Sequence, residues 1–274
     1  MSYKTILVNA QPAPRAQQIV AYASRLTTTQ DAHLVGLATS GLSELAYQCN
    51  GFAPGAPMVP EDLQALNTAA RQALGRFSST AGRLGVVSSE ERLTDDSLLD
   101  ALVQQARYAD LVVVGQANAG AGPLAPQQLI VHCHRPVVVV PDEGDFYRTG
   151  ERLLLAWDGG MAASRAVEAA LPLLRRASLT SVAIFNPGAC YGAHGQEPGA
   201  DLARYLVRHG VKVELVVRDT GRDVGDALLT LAAESGADLL VMGCYGHTRF
   251  REILLGGVSR SVLASMTLPV LMAH

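Results

Sequence analysis

Short apolar runs of four to six residues alternate along the chain with longer stretches of helical periodicity. This is the pattern of strand–helix–strand crossovers around a parallel sheet. In the second half the runs predict strands over about 152–157, 180–185, 211–217, 238–242 and 269–273. Between the first two, Val167, Ala170, Leu171 and Leu174 fall at i, i+3, i+4 and i+7, a stripe that faces a sheet, and Pro172 inside it predicts a kink. Before the fourth, Val224, Leu228 and Leu231 share a helix face, with Asp223 near the start and Gly236 near the end, where an acid and a glycine are favoured.

The same pattern occurs twice. Ala109-Asp110-Leu111-Val112-Val113-Val114-Gly115 returns as Ala237-Asp238-Leu239-Leu240-Val241-Met242-Gly243, and Arg135-Pro136-Val137-Val138-Val139-Val140 as Leu268-Pro269-Val270-Leu271-Met272-Ala273. Thr5-Ile6-Leu7-Val8-Asn9 is matched to Leu153-Leu154-Leu155-Ala156-Trp157. Three matches in one order indicate a duplicated unit. Polar, aperiodic residues from Pro141 to Gly150 form the predicted linker, which divides the chain into units 1–143 and 151–274. Stretches 47–60 and 187–199, rich in Gly and Pro, follow the second strand of each unit and read as loops or lids.

Composition narrows the function classes. A chain of 274 residues with 49% hydrophobic and 17% charged residues suits two folded α/β units and not a disordered chain. A net charge of −3 gives no global positive field for nucleic acid or an anionic membrane. Four cysteines without CxxC spacing speak against a disulfide framework or a structural zinc module. The start lacks a signal-peptide pattern and no run of apolar residues is long enough to span a bilayer, so the expected location is cytoplasmic.

Chemistry is concentrated after the fourth strand of the second unit. There Gly243-Cys244-Tyr245-Gly246 is followed by nine residues and then Gly256-Gly257-Val258-Ser259, which opens a helix. Glycines at the carboxyl end of a parallel strand allow close backbone approach, and a helix amino end offers N–H groups to phosphate. Ligands of open α/β sheets bind at that edge. The bland alternative is a set of turn glycines that let strand and helix pack closely.

These residues resemble the universal stress protein family, as two tandem copies covering nearly the whole chain, most strongly from Ala237 to His274. The nucleotide-binding branch of that family carries G-x2-G-x9-G-[S/T], met here by Gly243, Gly246 and Gly256; Gly257 departs from the hydroxyl position, and Ser259 matches a further hydroxyl. The resemblance implies two units, each a five-stranded parallel sheet of order 3-2-1-4-5 flanked by helices. It implies that Asp158 and the backbone near Ala156 and Phe185 border an adenine, and that Met242 and Gly243 lie near adenine and ribose. Gly246, Gly256, Gly257, Val258 and Ser259 would hold phosphates of ATP, or of ADP or AMP, with Mg or Mn riding on them. It further implies that the fifth strands, Val137–Val140 and Val270–Ala273, align antiparallel as an internal pseudo-dimer. Pairing of whole chains as a homodimer is left open.

The first unit lacks the motif. Its fourth strand runs into Gly115-Gln116-Ala117-Asn118, Pro123-Leu124-Ala125-Pro126 replaces the Gly-Gly helix entry, and its first strand ends in Asn9-Ala10 with no carboxylate. One competent nucleotide site per chain is therefore expected. Other features read as structural: Asp158 alone as a strand-end cap, Trp157 as a packing residue, Cys244 as a small apolar filler, and His132-Cys133-His134 as neighbours that point different ways. His247, Arg249, Arg251 and Glu252 read either as a solvated face or as counter-charge for phosphate. No GxxxxGK[ST], GxSxG or HExxH occurs, and no nucleophile or general base is assigned. The leading expectation is an ATP-binding stress-response sensor or regulator with an unidentified protein partner. The alternatives are a nucleotide-free scaffold and a slow ATPase or hydrolase.

Overall fold

The computed structural model describes residues 2–41, 60–116, 124–189, 197–244 and 257–274, and the chain divides into two compact units, Ser2–Arg135 and Pro136–His274. In the first unit β1 (Thr5–Asn9), β2 (His33–Thr39), β3 (Ser89–Thr94) and β4 (Leu111–Gly115) form an all-parallel array in the order β3-β2-β1-β4. Helices α1 (Ala16–Gln30), α2 (Pro60–Arg83), α3 (Leu98–Ala106) and α4 (Pro126–His132) accompany them. β1, β2 and β4 are almost wholly buried and read as continuous apolar runs, the mark of strands covered on both faces.

The second unit contains β5 (Val137–Val140), β6 (Arg152–Ala156), β7 (Leu179–Phe185), β8 (Val213–Arg218), β9 (Leu239–Gly243) and β10 (Val270–Ala273), in the order β5-β10-β9-β6-β7-β8. Its helices are α5 (Met161–Leu174), α6 (Ala200–Arg208), α7 (Val224–Ser235) and α8 (Gly257–Ser265). β6 through β10 are parallel and take the expected 3-2-1-4-5 order. β5 runs antiparallel to β10, with Val139 opposite Val270 and Val137 opposite Met272. That pairing draws β5 into the second unit: the division falls between Arg135 and Pro136, ahead of the linker, although chain order assigns β5 to the first copy.

Local chemistry sets the element ends where the sequence is explicit. The Asp223 side chain accepts from the Asp226 N–H at the start of α7, Gly236 closes it at φ 63°, and Leu228 and Leu231 are buried. Ser97 caps α3 in the same way through the Asp100 N–H. Such caps contribute about 1 kcal/mol each. α5 runs through Pro172 to Leu174 with Val167, Ala170 and Leu174 buried and Leu171 half-buried.

The backbone ladders correct the match between the two first strands by one residue. Asp110 N–H donates to the Thr5 carbonyl as Asp238 N–H does to that of Arg152, and Ala10 N–H donates to Leu37 as Trp157 N–H does to Ala183. Thr5 therefore stands for Arg152, and Gln11, not Ala10, for Asp158. Alternating apolar strands of similar composition slide easily in a sequence comparison, whereas the hydrogen-bond register fixes them.

Candidate functional site

The carboxyl ends of β6, β7 and β9 meet at one edge of the second unit. Ala156 lies opposite Ala183, two residues before Phe185, and Met242 and Gly243 pair with Met272 and Ala273. Ala156 and Phe185 are half-buried, and Met242 is buried, so its side chain belongs to the core and only its backbone can serve a ligand. Beyond β6, Asp158 is exposed. Its Oδ1 accepts from the Gly160 N–H at 2.8 Å, an Asx turn that leads into α5, while Oδ2 makes no hydrogen bond with another described residue. Half of this carboxylate thus does the capping work of the bland reading, and half is left without a hydrogen bond to a described residue.

The glycines of the motif divide by role. A Cβ on Gly243 would lie 2.3 Å from the Ala163 nitrogen and 2.4 Å from the Ala162 carbonyl carbon, so the backbone of α5 sits directly on this residue. Close strand–helix packing requires that glycine whether or not a ligand binds. Gly257 is the opposite case: it is exposed at the first position of α8, and a Cβ there would meet nothing within 4 Å. No packing need in the described residues accounts for it, and it leaves a helix amino end open to close approach. Val258 is half-buried and Ser259 buried, in the turn where α8 rests on α7. That contact is close because Gly225 of α7 has no side chain; a Cβ there would lie 2.8 Å from Ser261 Cβ and 3.1 Å from the Val258 carbonyl oxygen. Gly246 and Gly256, with His247, Arg249, Arg251 and Glu252, lie outside the described residues.

Residues 150–274 match the universal stress protein family. The chain carries a universal stress protein domain. A universal stress protein of Synechocystis sp. is 24% identical over 215 residues, 74% of this chain and 71% of that protein. The crystal structure of a universal stress protein from Archaeoglobus fulgidus superposes with a TM-score of 0.72 at 14% identity, covering 98% of this chain and 95% of that one. A putative universal stress protein from Pseudomonas aeruginosa gives 0.58 at 18% identity, over 99% and 93%. At these identities the two structures establish the shared α/β fold.

Around the universal stress protein domain's edge, Cys244 closes β9. Its N–H and thiol both face the Ala273 carbonyl, at 3.0 and 3.3 Å, and burial pushes the thiol up to about 12. It is a protonated filler at neutral pH, not a reactive group. Trp157 is half-buried. His132 is exposed and Cys133 buried, with the His132 Nδ1 2.8 Å from the Gln128 carbonyl oxygen.

The first unit treats the same edge differently. Gln11, in the place of Asp158, donates from Nε2 to the Thr39 carbonyl at 3.0 Å and accepts the Thr39 N–H at 2.8 Å. Thr39 is the counterpart of Phe185, so a side-chain amide clamps together two strand ends whose counterparts in the second unit share no such clamp among the described residues. Its register position, which is visible only in the ladder, hides this residue from sequence reasoning.

Sequence reasoning also passed over the aspartates inside the repeat. Asp238 takes the N–H groups of Gly150, Glu151 and Arg152, at 2.9 to 3.2 Å, and Asp110 those of Lys4 and Thr5. Both hold the amino end of the unit's first strand, opposite the candidate site. Burial raises the Asp238 carboxyl above its ordinary range, with the three amides pulling it back in part. Their recurrence in both copies was the available signal.

Proposed function

We propose that this chain is a tandem universal stress protein of the cytoplasm with one adenine-nucleotide site, in its second unit, whose occupancy governs the engagement of a protein partner. The observation that carries this reading is Gly257: a glycine with no packing role among the described residues, opening a nine-residue helix at the carboxyl edge of a parallel sheet. Its N–H and those of Val258 and Ser259 would receive the phosphates, together with Gly246 and Gly256, and Mg or Mn would ride on the phosphates. Asp158, with one carboxylate oxygen left without a hydrogen bond to a described residue, and the backbone of Ala156, Phe185, Met242 and Gly243 would border the adenosine. The bound nucleotide is ATP, or the ADP or AMP left from it. The first unit is a copy that has lost the site.

The packing role of Gly243 and the Asx turn of Asp158 favour a second reading, a scaffold that keeps the family's architecture without nucleotide. Calorimetric titration with ATP and Mg separates the two. Gly257→Val places a branched side chain at the helix entry in open space, so the fold is retained and affinity falls at least about tenfold, or 1.4 kcal/mol. Unchanged affinity in the folded variant removes Gly257 from the site, and the absence of binding to the unaltered chain selects the scaffold.

A further inference from the structure

The first unit, without the nucleotide motif, has a concavity of its own. A cleft of about 380 Å³ runs between α1 and α2, lined by Gln17 on α1 and by Gln72, Arg76, Ser79, Thr80 and Arg83 on α2. The α2 residues fall at i, i+4, i+7, i+8 and i+11, a single helix face. We propose that this cleft binds a small phosphorylated anion between Arg76 and Arg83.

Charge is the first argument. Both arginines are exposed, neither forms an ion pair or hydrogen bond with another described residue, and none of the described residues that line the cleft is acidic. They stand two turns apart, about 10 Å along the axis, a span that two long side chains close from either side of a ligand of phosphate-ester size. Guanidinium groups suit phosphate because their planar donors match its oxygens. The floor supplies further donors: Thr80 is buried, and its hydroxyl makes no hydrogen bond with another described residue.

Gly75 is the second, independent argument. It lines the cleft from within a helix, where glycine costs about 1 kcal/mol relative to alanine. A Cβ there would meet nothing within 4 Å, so among the described residues no close packing compensates. What the glycine preserves is the open volume beside Arg76. The wall is firm, because Phe77 presses on β2 at Gly36, where a Cβ would lie 2.6 Å from the ring. A small recess shares Gln17, Arg76 and Thr80 with the cleft and is otherwise apolar, with Ala10, Val20, Ala73 and Phe77 in its lining. A volume of this size falls within the range of small-molecule sites.

The test uses the intact chain and pyrophosphate as the probe. Backbone amide shifts of α1 and α2 report the cleft, while Trp157, the only tryptophan, reports the second unit by fluorescence. Saturable shifts in α1 and α2 are expected, weakened at least about tenfold in the Arg76→Gln/Arg83→Gln double variant. Gly75→Leu fills the cleft and improves helix propensity, so it weakens binding while the melting temperature holds or rises. The proposal fails if α1 and α2 do not respond up to about 10 mM pyrophosphate, if the double variant binds as well, or if only the second unit responds. A glutamate-rich helical peptide that binds the cleft in preference to pyrophosphate would likewise overturn it, in favour of a protein-docking face.

Discussion

Gln11 and Asp158 occupy the same place in two copies of one fold, and they do opposite things with it. The glutamine amide satisfies both backbone groups of Thr39 and ties β1 to β2, whereas the aspartate spends one oxygen on its own turn and leaves the other without a hydrogen bond to a described residue. One edge is tied by a neutral clamp, and among the described residues no side chain ties the other, which lies beside a helix that begins with an exposed glycine. In the function proposed above, duplication separates two demands that a single copy must meet together: a closed edge for stability and an open edge for binding.

The sharpest way to break this comparison is at the paired glycines. Gly243→Ala drives a methyl into the backbone of α5, which cannot step aside as a side chain can, and is expected to cost about 3 kcal/mol or more. Gly115→Ala meets the side chain of Ile19, its Cδ1 at 2.5 Å and its Cγ1 at 3.5 Å, and a rotamer change should hold the loss to about 1 kcal/mol. Urea midpoints of the two variants decide it; equal losses would mean that the second unit's helix is no more tightly seated than the first's.

A smaller difference is expected at the opposite edge. Asp238→Ala leaves three backbone amides without their acceptor and Asp110→Ala leaves two, so losses of about 2 and 1 kcal/mol follow, in that order. Thermal denaturation of each variant measures the order, and a reversal would contradict the count of bonds as the cause.

The smallest expected signal is chemical. Because burial raises the Cys244 thiol to about 12, it stays protonated in the folded chain through pH 8. The associated stability is complete below the ordinary thiol range and is lost progressively as pH climbs from that range to about 12. Cys133 is raised by burial as well. Alkylation at pH 8 should leave both unlabelled until the chain is unfolded, and rapid native labelling of Cys244 would show that β9's end is open to solvent.

Much of this architecture was legible in the residues. Periodicity located the strands of the second unit to within a residue or two, and Asp223 and Gly236 marked the ends of α7, because caps and apolar stripes act over a single turn. What escaped is long-range. The antiparallel partner of Val137–Val140 lies at the far end of the sequence, so chain order could not show that β5 packs with the second unit. The one-residue slip that hid Gln11 arose because apolar runs align equally well in two registers. At the site, spacing picked out the glycines but could not sort them: only the geometry shows that α5 sits directly on Gly243 and that a Cβ on Gly257 would meet nothing among the described residues.

The central claim is that binding survives in one copy and not in the other. It is tested most directly by titrating the nucleotide-free chain with ATP and Mg and counting the sites at saturation, alongside Asp158→Ala. The account predicts one ATP per chain, with affinity reduced in the variant and its fold intact, since Asp158 is exposed. Two sites per chain, or one site indifferent to Asp158, would contradict it.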